Sequence, residues 1–234
     1  SKRHGAMDIL EYKNQGFLPE AMLNYLVRLG WSCGDQEIFS IGELIDNFDL
    51  SNLNKSSARF DFEKLQWVNR KHISELSSLK LSEILVEYAA EDNIKLATMN
   101  KLQLFSDAYK NRADDLNMLL ETAQTFFSDD LILDQSAAKK YLRPTVLEPL
   151  KDLVRTLEKI DWSPKEIHQA IESICSQHNI GFGKIGQPIR VATTGTTISP
   201  PIDITLSMLP KDVVVSRLDE AINYIESNLN VVPD

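Results

Sequence analysis

Pro19-Glu20-Ala21-Met22-Leu23-Asn24-Tyr25-Leu26-Val27-Arg28-Leu29-Gly30 is the stretch on which the fold class turns. Proline stands where a first helical turn tolerates a missing N–H, apolar residues recur at helical spacing, and glycine closes the run where a helix can end left-handed. The spacing predicts one compact helix, and the pattern recurs down the chain. Ser40 to Phe48 reads as another helix, with Ser40 as cap and Glu43 three residues later completing a capping box. Asp61 to Ile73 puts Phe62, Leu65 and Val68 on one side and Lys64 and Lys71 elsewhere. Further helical runs cover approximately 80–92, 98–108, 112–127, 135–141, 145–160, 164–178, 184–193, 202–208 and 211–229. Strand signals are scarce, because Val213-Val214-Val215 sits inside a run whose apolar residues continue at Leu218, Ala221, Ile222 and Ile225, so helix wins. Ser163-Pro164 and Leu209-Pro210 read as helix starts. The expected class is all-α, in three packed helical layers without an internal repeat.

Between helices the least core-like stretches are Ser74 to Lys80 and Asp129-Asp130 to Arg143-Pro144, and neither is a Gly/Ser-rich linker. Thr193 to Pro201 is the longest stretch without helical pattern and the best candidate for an ordered functional loop. The 234 residues, 43% of them hydrophobic, can bury a sizeable core at a mean hydropathy of −0.22. No apolar run approaches the ~20 residues that span a bilayer, and no basic-then-apolar leader opens the chain, so a cytoplasmic protein without membrane contact is expected. Cys33 and Cys175 belong to no paired-Cys motif, which argues for reduced core thiols and against a metal site.

The net charge of −9, from 34 acidic against 25 basic residues, excludes indiscriminate binding to a phosphate backbone. Nucleic-acid contact would have to be confined to patches: Lys2-Arg3-His4, Arg70-Lys71, Lys139-Lys140 with Arg143, or Lys184 with Arg190. Each of these also reads as a solvated face. The chain opens without Met on Ser1-Lys2-Arg3-His4-Gly5-Ala6, a basic segment whose left edge is missing, so a piece of a longer protein is expected.

Ser1-Lys2-Arg3 resembles the second half of a Lys-Leu-Ser-Lys-Arg signature loop of class I aminoacyl-tRNA synthetases. From His4-Gly5-Ala6 through Gly16-Phe17-Leu18 to Trp31-Ser32, then Asp35-Gln36-Glu37-Ile38-Phe39-Ser40, Phe48-Asp49-Leu50, Asn54-Lys55-Ser56, Phe60-Asp61, Lys64-Leu65 and Trp67-Val68-Asn69, the chain resembles the bacterial glutamyl-tRNA synthetase family in the same order. The resemblance implies a stem-contact helical domain over 1–75 that includes the end of the signature loop. It also implies an anticodon-binding helix bundle in two subdomains, 76–142 and 143–234. Lys2 would stabilise the triphosphate during adenylate formation. In the stem-contact segment Trp31, Phe39, Phe48, Phe60 and Trp67 are expected in the core, which leaves Lys64, Asn69 and Arg70 to touch phosphate or ribose.

Tyr109-Lys110-Asn111-Arg112-Ala113-Asp114-Asp115-Leu116 aligns with the family's helix start, where an arginine recognises the third anticodon base and accepts glutamate tRNA over glutamine tRNA. A planar fork suits a splayed-out base; read from the residues alone, Arg112 could instead pair with Asp114 or Asp115. Gly181-Phe182-Gly183-Lys184-Ile185-Gly186-Gln187-Pro188-Ile189-Arg190-Val191-Ala192-Thr193-Thr194-Gly195, followed by Ser199-Pro200, looks like the family's C-terminal hallmark. There Arg190, Ser199, Pro200 and Ile202 would serve the first two anticodon bases. The chain departs from the family with Pro200-Pro201 in place of Pro-Gly, which removes a flexible glycine, and with Leu209-Pro210-Lys211-Asp212 in place of Leu-Gly-Lys-Glu.

The resemblance therefore implies the tRNA-recognition portion of a glutamate–tRNA ligase, whose partners are glutamate tRNA and an upstream catalytic domain. The intact protein, a monomer, would use ATP with magnesium in a two-step reaction through an aminoacyl-adenylate; this chain alone would bind no cofactor, hold no metal and be inactive. The alternatives are a non-discriminating or paralogous form acting on glutamine tRNA, and an all-helical protein-interaction domain without RNA binding.

Overall fold

The computed structural model describes residues 8–54, 59–92 and 94–229. Among these residues the chain is helical throughout, with one isolated antiparallel bridge between Trp31 and Leu53. The helices are α1 (Ile9–Asn14), α2 (Pro19–Gly30), α3 (Ile41–Asn47), α4 (Phe62–Glu75), α5 (Ser78–Glu91), α6 (Met99–Tyr109) and α7 (Leu116–Phe127). They continue as α8 (Gln135–Tyr141), α9 (Leu147–Leu157), α10 (Pro164–Gln177), α11 (Phe182–Thr194), α12 (Ile202–Ser207) and α13 (Lys211–Leu229). Single 3₁₀ turns cover Leu50–Asn52, Lys110–Arg112 and Pro144–Val146. Two compact units emerge, Ser1–Ala123 and Gln124–Asp234, with the division inside α7.

Local chemistry explains most boundaries. The Ser40 hydroxyl accepts from the Glu43 N–H while the Glu43 carboxylate accepts from the Ser40 N–H, the expected capping box. Asp61, Ser77, Asp134 and Ser163 each accept from a first-turn N–H of the helix that follows. The valine run 213–215 lies inside α13, as the periodicity predicts. Gly30 differs from expectation: α2 includes it without a left-handed turn and ends because Trp31 is extended. The stretch 74–80 is also mostly helical, and only Leu76 and Ser77 separate α4 from α5.

Within residues 1–123, α2 packs on α4 and α5 on α6. Trp31 and Phe39 are fully enclosed and meet edge-on, but Phe48 and Phe60 are nearly half exposed although each leans on an enclosed aromatic, Trp31 and Tyr25 respectively. Phe62, expected inward beside Leu65 and Val68, is likewise 44% exposed: at the first position of α4 its ring meets the enclosed Phe17 edge-on without being covered. A buried amide organises this core: Asn24 Nδ2 donates to the Glu37 carbonyl at 3.0 Å, while its Oδ1 accepts the Phe39 N–H at 2.8 Å and lies 3.0 Å from His72 Nε2. A backbone N–H can only donate, so that atom is oxygen and His72 must donate to it.

Within residues 124–234, α13 packs along α9 and α11, and α10 along α9 and α12. Arg217, 5% exposed near the middle of α13, donates to the carbonyls of Thr193 at 2.6 Å, Phe126 at 3.1 Å and Ser128 at 2.6 Å. Those carbonyls stand at the ends of α11 and α7, where helices leave acceptors without intrahelical partners and carry partial negative charge. A buried guanidinium is costly unless its donors are engaged; here the helix ends supply the compensation.

Candidate nucleic-acid interface

The first candidate surface is built around Arg112. The run expected as one helix over 112–127 breaks: a 3₁₀ turn holds Lys110–Arg112, Ala113 is extended and buried, and α7 begins at Leu116. The break has a cause at each end. Asp115 Oδ1 accepts the Met118 N–H at 2.8 Å and so caps α7, while the Leu116 N–H donates to the Gly16 carbonyl at 2.9 Å. Gly16 has φ of 82°, and a Cβ there would lie 2.7 Å from the Asn117 nitrogen, so only glycine permits the approach. Asn117 Nδ2 donates to the Asn14 carbonyl at 2.9 Å, and the Tyr88 hydroxyl donates to Asn117 Oδ1 at 2.6 Å. The junction is pinned, and Arg112 is exposed upon it.

Among the described residues Arg112 makes no ion pair; it makes a long 3.5 Å bond from Nη1 to the Ala108 carbonyl. Pairing with Asp114 or Asp115 does not occur. Asp115 is used as the cap, and Asp114 faces α4, where Arg70 Nη1 lies 3.3 Å from Oδ1 and Gln66 Nε2 lies 3.5 Å from Oδ2.

The three polar residues assigned to stem contact fare differently. Lys64, 44% exposed, pairs with Glu37 at 2.9 Å, and Arg28 pairs with the same carboxylate at 2.9 Å. The Arg28 guanidinium foremost, with Lys64 assisting, holds the Glu37 carboxyl below the usual carboxylate range against the opposing effect of burial. Arg70 is half exposed and engaged with Asp114. Asn69 departs from expectation: it is fully buried, its Oδ1 accepts the Leu18 N–H at 2.9 Å and its Nδ2 donates to the Asp114 carbonyl at 2.8 Å. Its amide satisfies backbone groups at the start of α2 and before α7, leaving nothing for a phosphate or ribose to reach. Lys2 lies outside the described residues.

The second candidate surface is the loop after α11. Arg190, half-buried, donates from Nε to Ser199 Oγ at 2.7 Å and from Nη2 to the Pro200 carbonyl at 3.4 Å. The Thr205 hydroxyl lies within 3.2 Å of both Ser199 Oγ and the Pro200 carbonyl, and 3.0 Å from the Pro201 carbonyl. The loop leaves α11 through Gly195, φ 76°, whose missing Cβ would fall 2.5 Å from the Ile132 oxygen. The structure thus brings Arg190, Ser199 and Pro200 together. Pro200 and Ile202, however, are buried, because they seat the loop against its own unit. The loop turns Thr196, Ile198 and Pro201 outward instead.

Lys139, Lys140 and Arg143 are exposed around α8, with Lys140 Nζ 5.1 Å from the Tyr141 ring centroid. Among the described residues no three His, Cys, Asp or Glu side chains converge as metal ligands, and no helix is long and apolar enough to cross a membrane. The residues that sequence reading missed are Gln66, Asp114 and Arg217. The first two were signalled by Gln66, Asn69 and Arg70 at one-turn spacing opposite an Asp-Asp pair, the third by a lone arginine between Val214 and Leu218 in an apolar helix face.

Residues 65–222 match the anticodon binding domain family model, and residues 1–67 match the catalytic domain model of class I tRNA synthetases for E and Q. The chain is 41% identical to a glutamate–tRNA ligase of Francisella philomiragia over 229 residues, covering 96% of this chain and 49% of that protein. A glutamate–tRNA ligase of Francisella tularensis subsp. novicida is 40% identical over the same shares. The crystal structure of a glutamate tRNA ligase from Elizabethkingia meningosepticum, in complex with its amino acid, superimposes with a TM-score of 0.82 at 28% identity, over 92% of this chain and 43% of that one. A glutamate-tRNA synthetase from Elizabethkingia anophelis gives 0.76 at 28% identity over 91% and 42%. The chain spans about half the length of the relatives it matches.

Proposed function

Because the chain belongs to the anticodon-binding-domain family and is similar along almost all of its length to glutamate–tRNA ligases, we propose that it is the tRNA-reading portion of such a ligase. The protein it serves would attach glutamate to its tRNA by ATP- and magnesium-dependent adenylation and transfer, acting as a cytoplasmic monomer. This chain would supply recognition of the anticodon and the inner corner of the tRNA. The proposed division is a stem-contact domain over 1–75 and anticodon-binding subdomains over 76–142 and 143–234.

The observation that carries the reading is the condition of Arg112. Two carboxylates follow it in sequence and both are occupied by other groups, while the guanidinium itself stays exposed. An arginine left without an anion on an acidic protein fits a base edge, where its fork donates two hydrogen bonds. The braced Arg190–Ser199–Pro200 loop supports the same function by another route. A loop already ordered loses little entropy on meeting the first two anticodon bases, and its outward Thr196 and Ile198 offer a hydroxyl and an apolar face.

Filter binding of the chain to transcribed tRNAs tests the proposal. The expected result is tighter retention of tRNA with the glutamate anticodon than of the same molecule with its third anticodon base changed to that of glutamine, by roughly tenfold for one lost bidentate contact. Arg112→Ala should abolish the difference. Equal, salt-labile retention of every RNA would overturn specific reading, no retention would favour a protein-interaction domain, and equal retention of both anticodons would favour the non-discriminating form.

A further inference from the structure

Asn69 and Arg70 sit one turn on from Gln66 in α4, and all three close on one residue, Asp114. Asn69 takes its carbonyl at 2.8 Å, Arg70 one carboxylate oxygen at 3.3 Å and Gln66 the other at 3.5 Å. Asp114 stands two residues after Arg112, within the span of a long arginine side chain. Its carboxylate, left loose, would compete with any RNA group for that guanidinium.

Stability does not account for the whole arrangement. The Arg70–Asp114 pair is 49% and 40% exposed, and pairs of that exposure contribute little to folding. Its local electrostatic effect matters more: it decides whether the anion two residues along the chain from Arg112 is already neutralised. The Asn69 bond is buried and fixes the peptide that follows the 3₁₀ turn. One helix face thus provides both a backbone anchor and a charge partner at the same place.

We infer that Gln66, Asn69 and Arg70 are positioning residues for Arg112: they anchor the 112–116 junction and occupy the Asp114 carboxylate, which leaves the Arg112 fork to an RNA base. The inference rests on the proposed base reading by Arg112. It reassigns Asn69 and Arg70 from phosphate contact to support of the base-reading side chain. It also gives α4, where the two matching family models meet at residues 65–67, a physical connection to that side chain.

The test uses the 234-residue chain, two tRNA transcripts differing only in the third anticodon base, and three variants: Arg112→Ala, Arg70→Met, and Arg70→Met combined with Asp114→Asn. Arg70→Met frees the Asp114 carboxylate, so third-base preference should fall by roughly fivefold, the upper range of one exposed ion pair, while thermal unfolding barely moves. The double variant removes the competing charge and should recover most of the preference. A purely structural role for Arg70 predicts that the double variant is at least as impaired. Direct phosphate contact by Arg70 predicts equal weakening of both tRNAs without rescue, and either result overturns the inference. A wild-type chain without third-base preference, or Arg112→Ala that keeps it, overturns the base-reading proposal and this inference with it; the rescue experiment separates the two failures.

Discussion

Arg112 and Arg190 were expected to do the same job, yet their surroundings differ. Arg112 is exposed on a 3₁₀ turn, with one long bond to a carbonyl and no ion pair among the described residues. Arg190 is half-buried and spends Nε and Nη2 on Ser199 and Pro200 of a neighbouring loop. Guanidinium groups are therefore used in two ways within one chain. Around Arg112 the fold leaves the side chain itself exposed for the proposed RNA contact, whereas in 124–234 the side chain braces the loop to which that contact is proposed. Arg217 extends the second use to its limit, with the charge fully internal and its donors on helix-end carbonyls.

The comparison breaks most visibly at Arg217. Arg217→Met keeps much of the volume but strands the carbonyls of Thr193, Phe126 and Ser128, and should cost about 3 kcal/mol in the unfolding free energy of residues 124–234. Arg217→Lys, which cannot reach three acceptors in one plane, should recover only part of it. Denaturant midpoints at unchanged slope measure both effects. A loss below about 1 kcal/mol would mean that the helix ends do not depend on this group, and the architectural reading of arginine in this unit would fail.

How much of this the sequence disclosed depends on the range of the interactions involved. Local chemistry was legible: the Ser40–Glu43 box, Ser163-Pro164 at a helix start and the helical valines are set by neighbours within one turn. The resemblance singled out Arg190, Ser199 and Pro200, but that the arginine bonds to the other two is visible only in the structure. Asn69 was misread because its partners, Leu18 and Asp114, lie 51 and 45 residues away, and a polar residue on a helix looks solvated until the opposing backbone is seen. The burial of Pro200, in the loop, and of Ile202, at the start of α12, was likewise invisible, because it depends on packing that local sequence does not reveal.

A smaller effect sharpens the difference between the two surfaces. Arg190→Met should destabilise residues 124–234 by roughly 1 kcal/mol through loss of charge-assisted bonds to Ser199 and Pro200. Arg112→Met should stay within about 0.5 kcal/mol, as exposed substitutions do. Parallel thermal scans decide: equal losses would put both arginines in one class and remove the contrast.

The smallest expected effect concerns the neutral counterpart of Arg217. His72 is buried against Asn24 and donates to its Oδ1, a bond that either protonation state can make; burial is what favours the neutral ring and pulls its pKa below the ordinary 6.5, outweighing Glu75 and Glu20, which act in the opposite direction. As pH falls below 6.5 the unfolded chain binds a proton that the folded chain resists, so unfolded protein carries more protons and stability declines with acid. His72's contribution is complete above pH 6.5 and is lost as pH drops through its native value, a window in which Arg217 keeps its charge. His72→Gln can still donate to Asn24 but does not titrate. The midpoint of 1–123 should therefore depend less on pH in the variant than in the parent between neutral pH and about 5. Identical slopes would show that the buried imidazole is not the acid-sensitive group of that unit, and that enclosing a neutral base there costs the fold nothing in acid.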